Sequence, residues 1–194
     1  MIKFDNVNFS YGKTEVLKEF NLEINKGDKI CLFGESGCGK TTVLRLILGL
    51  EKVKSGQTII QSNLKPAVVF QENRLLPFKT VLENVSLFSK DEETAIHHLE
   101  NLGLGKNLND YPNKLSGGMK RRLAIARALS TNFDYIILDE AFTGLDNENI
   151  ISAAKHILET VGERPIIMVT HSKYEAELLG AEIVEMYLKK LYEK

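Results

Sequence analysis

The sequence predicts an α/β fold built on a mainly parallel sheet and interrupted once by a mostly helical insertion. Three observations carry that expectation. Strand-like apolar runs alternate with helix-period segments at both ends of the chain. A glycine-rich loop joins one of those strands directly to a helix. Between about Gln71 and Ser130 the pattern turns helical, with Pro77 and Pro112 as breaks.

The elements follow in order. Phe20, Leu22 and Ile24 alternate with polar residues ahead of an Asn25-Lys26-Gly27-Asp28 turn, which reads as a half-buried strand. Lys29 to Phe33 contains the continuous apolar run Ile30-Cys31-Leu32-Phe33, as in a strand covered on both faces. From Lys40, Val43, Leu44, Ile47 and Leu48 recur at helical spacing until Gly49 offers a stop. In the insertion, Ala95, Ile96, Leu99 and Leu102 form one helical face, and Gly118 to Leu129 continues through Met119, Leu123 and Ala126. Tyr135 to Asp139 reads as a strand, Glu148 to Val161 as a helix and Pro165 to Thr170 as a buried strand. Tyr174 to Leu179 reads as a helix and Ile183 to Leu188 as a final strand.

Composition removes several functions. The chain has 194 residues, 25 Lys+Arg against 26 Asp+Glu and a net charge of −1, so no basic stripe is expected to hold a nucleic acid. The longest stretch without Asp, Glu, Lys or Arg is ten residues, Ser55 to Leu64, against the roughly 20 apolar residues of a membrane-spanning helix. The N-terminus lacks the charged and apolar segments of a secretion signal, so a cytoplasmic location is expected. Cys31 and Cys38 have no companions at ligand spacing and are expected as reduced thiols. His97, His98 and His156 fall on helical stretches and are expected as surface or packing residues without partners.

One segment carries chemistry by itself. Gly34-Glu35-Ser36-Gly37-Cys38-Gly39-Lys40-Thr41-Thr42 fits G-x-x-x-x-G-K-[ST] between a strand and a helix. Glycines let successive backbone N–H groups turn inward on phosphate oxygens, and the helix adds its positive end. Lys40 would reach the β- and γ-phosphates of a nucleoside triphosphate such as ATP, and Thr41 would bind Mg²⁺. The strand Tyr135-Ile136-Ile137-Leu138 ends in Asp139-Glu140, two acids that a core tolerates only beside a cation or for a function. Asp139 would hold the metal and Glu140 would polarise the attacking water.

With these motifs in place the chain resembles the ATP-binding cassette ATPases, the nucleotide-hydrolysing subunits of membrane transporters. Leu115-Ser116-Gly117-Gly118-Met119 looks like the family's signature sequence. Tyr11 resembles the aromatic that stacks on adenine, Gln71 the glutamine of the Q-loop, Gly144-Leu145-Asp146 the D-loop and His171 the switch histidine. The resemblance implies a RecA-like P-loop NTPase core with an N-terminal antiparallel β subdomain, over 1–70 and 131–194, and a helical signature subdomain over about 71–130. It also implies a homodimer in which two chains pair head to tail, so that Ser116 and the amides of Gly117 and Gly118 act on the partner's ATP. Gln71 would contact Mg²⁺, and His171 would bond the γ-phosphate and help position Glu140. The implied partners are a separate membrane permease, holding the subunit at the inner face of the cell membrane, and an external solute-binding protein.

Met119 stands where the family usually has glutamine, and Ala141 where a proline commonly follows the glutamate. Methionine there, with the segment from Gln71 to Phe78, is similar to the cassettes of nitrate, sulfonate and taurine importers. Little sequence follows the last strand, so no appended regulatory domain is expected. Lys120, Arg121 and Arg122 are expected to form a solvated or interface face, with the alternative that one of them supports the γ-phosphate indirectly. Leu75 to Phe78 is the candidate permease contact. A non-transport mechanical ATPase, an ABC exporter subunit and a small-molecule phosphotransferase are the alternatives. The first usually needs a coiled-coil insertion or paired cassettes, and the last has no use for Leu115 to Met119.

Overall fold

The computed structural model describes residues 1–187. Strands β1 (Ile2–Tyr11) and β2 (Thr14–Ile24) form an antiparallel pair in which Ile2, Phe4, Val7 and Phe9 point into the interior. Strand β3 (Lys29–Gly34) runs through the glycine loop into α1 (Lys40–Ile47). Strand β4 (Ser55–Ile60) returns to the free edge of β1, completing a three-stranded sheet of order β2-β1-β4. After β5 (Pro66–Val69) come the helices α2 (Val81–Ser86), α3 (Glu92–Asn101) and α4 (Gly117–Leu129), with two short 3₁₀ turns between α3 and α4. The alternation then resumes with β6 (Tyr135–Asp139), α5 (Asn147–Val161), β7 (Ile166–Val169), α6 (Lys173–Leu179) and β8 (Glu182–Met186). Leu188, the expected end of the last strand, lies outside the described residues.

The second sheet has order β5-β6-β7-β3-β8, and every pair in it is parallel, as the alternation of strands and helices requires. Its residues alternate between two apolar clusters. On β6, Ile136 and Leu138 face the helices α2 to α6, while Tyr135 and Ile137 face α1 and the antiparallel sheet. Strand β7 divides in the same way, Ile166 and Met168 against Ile167 and Val169. A strand buried on both faces therefore has no polar period, which is why these stretches read as continuous apolar runs. No helix among the described residues is long and apolar enough to cross a membrane.

Among the described residues, helix N-termini are marked by side chains at five of the six α-helices. Thr80, Asp91, Ser116, Asp146 and Ser172 each accept a hydrogen bond from the backbone N–H three residues on, and Thr80 forms a full capping box with Glu83. Helix α1 is the exception, with Gly39 at its N-cap and no side-chain cap.

One expectation fails here. His98 and His156 do have a partner: both are buried, and His98 Nδ1 lies 2.9 Å from His156 Nε2, joining α3 to α5. The pair needs one neutral ring as donor and the other as acceptor. Burial together with the neighbouring His156 holds His98 down at about 4, and burial also lowers His156.

Candidate active site

The parallel sheet brings its carboxyl edge together at one place. Val69 pairs with Leu138, Asp139 with Val169 and Leu32 with Val169, so the segments leaving β5, β6, β7 and β3 all emerge at this edge. A cavity of about 400 Å³ opens there, lined by Tyr11, Val16, Ser36, Gly37, Gly39, Lys40, Thr41, Thr42, Gln71, Asp139, Glu140 and His171.

The phosphate loop wraps one side of it. A Cβ on Gly34 would stand 2.2 Å from the Met186 carbonyl oxygen, so only glycine lets the loop leave β3 this close to β8. Gly39 has φ +105°, and a Cβ there would press on Leu17 and Val16 at 3.1 and 3.2 Å. Lys40 is 6% exposed, and its ammonium group donates to the Gly34 and Glu35 carbonyls at 2.7 and 2.9 Å, with Cys38 Sγ at 3.8 Å. The loop therefore supplies a buried cation and an uncapped helix start facing the same space, a donor set suited to phosphate oxygens. Cys31 and Cys38 are both free, and burial pushes the Cys31 thiol up to about 11.

Opposite stand the two acids. Glu140 has φ +49°, in the left-handed region unusual for a residue with a side chain, and this turn aims its carboxylate into the cavity. Gln71 Nε2 donates to Glu140 Oε2 at 3.2 Å, and His171 Nε2 lies 3.3 Å from Glu140 Oε1. Three residues from three different strand ends thus meet at one carboxylate. Burial, and then the adjacent Glu140, push the Asp139 carboxyl above its ordinary range, with Arg121 and Lys40 opposing. Thr41, Gln71 and Asp139 present only oxygen-bearing side chains to the cavity, and a half-buried carboxyl beside a second acid favours a cation. The residues present fit Mg²⁺.

Tyr11 is 45% exposed at the cavity rim, packs edge-on against Phe9 and donates its hydroxyl to Glu51 at 3.4 Å. The signature segment lies elsewhere. Ser116 and Gly117 are exposed at the start of α4, where Ser116 Oγ accepts from Met119 N at 3.2 Å. Leu115 is buried, and the Met119 side chain packs against the apolar cluster under the helices. Gly118 touches the Gly144-Leu145 turn, since a Cβ there would stand 3.2 Å from the Gly144 oxygen. Asp146 caps α5, and the Asn149 backbone N–H it accepts lowers its carboxyl below the ordinary range.

Arg121 departs from its expected solvated face. It is 2% exposed, and its guanidinium donates to the carbonyls of Phe70, Asp139, Glu140 and Ala141 at 2.5 to 2.8 Å. Arg127, six residues on, donates to Asn73 and Arg74 carbonyls at 2.9 and 2.7 Å. The sequence held a signal for the first of these, because Arg121 shares its helix face with Ile125 and Ala128, both buried.

The ABC transporter family profile matches residues 17–143. The aliphatic sulfonates import ATP-binding protein SsuB of Zymomonas mobilis is 37% identical, with 95% of this chain and 81% of the relative covered. The SsuB of Corynebacterium glutamicum is 40% identical, with 90% and 75% covered. Among solved structures, the dimeric bacterial ABC transporter cassette MJ0796 matches with a TM-score of 0.80 at 32% identity, covering 96% of this chain and 94% of that one. Its dimeric post-hydrolysis state bound to ADP and Pi gives 0.82 at 29% identity, covering 98% and 97%. With its phosphate loop and its acids converging on one cavity, this chain belongs to the ABC transporter family and is an ATP-binding, ATP-hydrolysing cassette.

Proposed function

We propose that this cassette dimerises around two MgATP molecules and drives a separate membrane permease that imports a small organic or inorganic anion or related nutrient. The observation that carries the catalytic part is the Glu140 carboxylate held between Gln71 and His171, facing the phosphate loop. Lys40 and the N–H groups of Glu35 to Thr42 bind the phosphates, and Tyr11 stacks on the base. Thr41, Gln71 and Asp139 hold Mg²⁺, which supplies neutralisation of phosphate charge when bound. Glu140 takes the proton of the attacking water, and His171 orients the carboxylate and bonds the γ-phosphate. Ser116, with the amides of Gly117 and Gly118, completes the partner's site, and Asp146 lies beside that contact.

Supporting the division of labour, residues 1–70 and 131–194 supply the phosphate loop and the acids, while about 71–130 supplies the signature. ATP-driven closure of the dimer would then move the helical segment against the permease. Leu76 and Phe78, 36% and 89% exposed, lie beside Gln71 in sequence and are the proposed contact. Held by that contact, the cassette works at the inner face of the membrane, with an external binding protein delivering solute. The names of the sulfonate-import relatives support the anion class.

The decisive variant is Glu140→Gln. ATP binding is expected to persist, turnover to fall by about 10²–10⁴-fold, and an ATP-bound dimer to accumulate in size-exclusion chromatography. Turnover at the original rate removes Glu140 from the role. Affinity purification from native membranes is expected to return a stoichiometric polytopic protein, and a soluble complex in its place removes the transport reading.

A further inference from the structure

Beyond its last ladder pair, Val69 with Leu138, the β5–β6 edge comes apart, and among the described residues no backbone hydrogen bond joins 70–73 to 139–141. The Arg121 guanidinium fills the gap. Its Nε donates to the Ala141 carbonyl at 2.8 Å, and its Nη2 to those of Asp139 and Glu140 at 2.8 and 2.5 Å. Its Nη1 reaches the Phe70 and Gln71 carbonyls at 2.5 and 3.2 Å and Asn73 Oδ1 at 3.3 Å. Every hydrogen-bond partner is a neutral oxygen, and the carboxylates of Asp139, Glu140 and Glu175 favour the cation from beyond hydrogen-bond contact.

Three successive carbonyls can converge on one planar group only where the chain turns sharply. The left-handed conformation of Glu140 makes that turn, and Thr143 N closes it on the Glu140 carbonyl at 3.1 Å. Without a donor at its centre the turn would leave the Asp139 and Ala141 carbonyls unpaired, and Glu140 would relax toward an ordinary backbone conformation. The carboxylate would then swing away from Gln71 and His171. Lysine cannot replace the fork, since it has one nitrogen where arginine has three in a plane.

We propose that Arg121 is a positioning residue for hydrolysis. It locks the turn at Glu140 to the Gln71 loop, and it ties both to the helix whose first turn presents Ser116 to the partner. Arg127 fastens the far end of the same loop, through Asn73 and Arg74, to the same helix. A shift of α4 on contact with the partner's nucleotide therefore reaches the Glu140 carboxylate through one side chain. The proposal rests on Glu140 being the catalytic base.

The test compares Arg121→Lys, Arg121→Gln and Glu140→Gln in the full chain, measuring kcat, KM, the dissociation constant for MgATP and the thermal midpoint. Arg121→Lys is expected to lower kcat by about 10–100-fold while KM and MgATP affinity stay within about threefold, because the phosphate loop is untouched. Arg121→Gln is expected to lose at least as much. On the Glu140→Gln background, Arg121→Lys is expected to cost no further turnover. If Arg121→Lys folds and keeps kcat within twofold, the positioning role is overturned even where Glu140→Gln is inactive. If Glu140→Gln remains active, the reading of the base fails instead. If neither Arg121 variant folds, or if affinity and kcat fall together, Arg121 is a structural cation and the proposal falls.

Discussion

Two glycine-rich helix starts in this chain have the same local chemistry and opposite states. Helix α1 begins at Gly39, which has no side chain to close on its amides, and the nearby Lys40 is folded onto the carbonyls of its own loop. Helix α4 begins at Ser116, whose hydroxyl already accepts from Met119 N. The first start stands ready for an anion within one chain, walled by Val16, Asp139 and His171. The second is exposed, and its hydroxyl accepts from its own helix through a lone pair while the O–H stays free to donate to a phosphate from outside the chain. A start left open to an anion and a start closed by its own serine can therefore be built from nearly the same loop, and the capping residue separates them.

The largest way to break this comparison is Lys40→Ala. It removes the buried cation of the first start and is expected to lower kcat/KM for ATP by about 10³-fold, with MgATP binding weakened in calorimetry. An unaltered affinity would deny α1 its role. At the second start, Ser116→Asp keeps a good N-cap but places a charge where the partner's phosphate would come. Monomer stability and MgATP binding are expected to hold, while turnover falls about 10²-fold and ATP-dependent dimerisation is lost in light scattering. If binding by the monomer fell too, the two starts would not be independent.

A smaller effect distinguishes how the two starts are mounted. Helix α1 packs directly on the sheet, whereas the helical segment ending in α4 also leans on α5 through the buried His98–His156 contact. His98 is held at about 4 against an ordinary 6.5, so the unfolded chain takes up a proton that the folded chain refuses. Stability is full above about 6.5 and falls as the pH drops toward 4, by about 2 kcal/mol between pH 7 and 5. Urea titrations across that range are expected to show the loss, and His98→Gln to flatten it. His97 beside the pair works in the same direction and Glu159 against it at His156. The smallest effect is Tyr11→Ala, expected to weaken ATP binding about three- to tenfold, since an exposed ring contributes one stacking contact. Tight binding by that variant, measured by fluorescence anisotropy, would leave Tyr11 a packing residue.

Legibility followed the range of each interaction. The phosphate loop and the strand ending in Asp139-Glu140 are local, because backbone turns and amides close within a few residues. His98 with His156 and Arg121 with the 70–73 and 139–141 segments span 18 to 58 residues, and a helical stretch does not say which neighbour its buried face will meet. Three adjacent basic residues looked like a solvated face because charge favours water. Burial of Arg121 became tolerable only when the ends of two strands aimed a cluster of carbonyls at it.

The sequence by itself determined the parallel sheet, the phosphate loop and which acids stand at a strand end. Periodicity and glycine placement encode these through backbone sterics and local hydrogen bonds. Only the tertiary structure decided that Glu140 turns left-handed, that Gln71 and His171 meet its carboxylate and that Arg121 holds the turn. Those contacts join the ends of separate strands, and their distances exist only once the sheet order has brought the strands side by side.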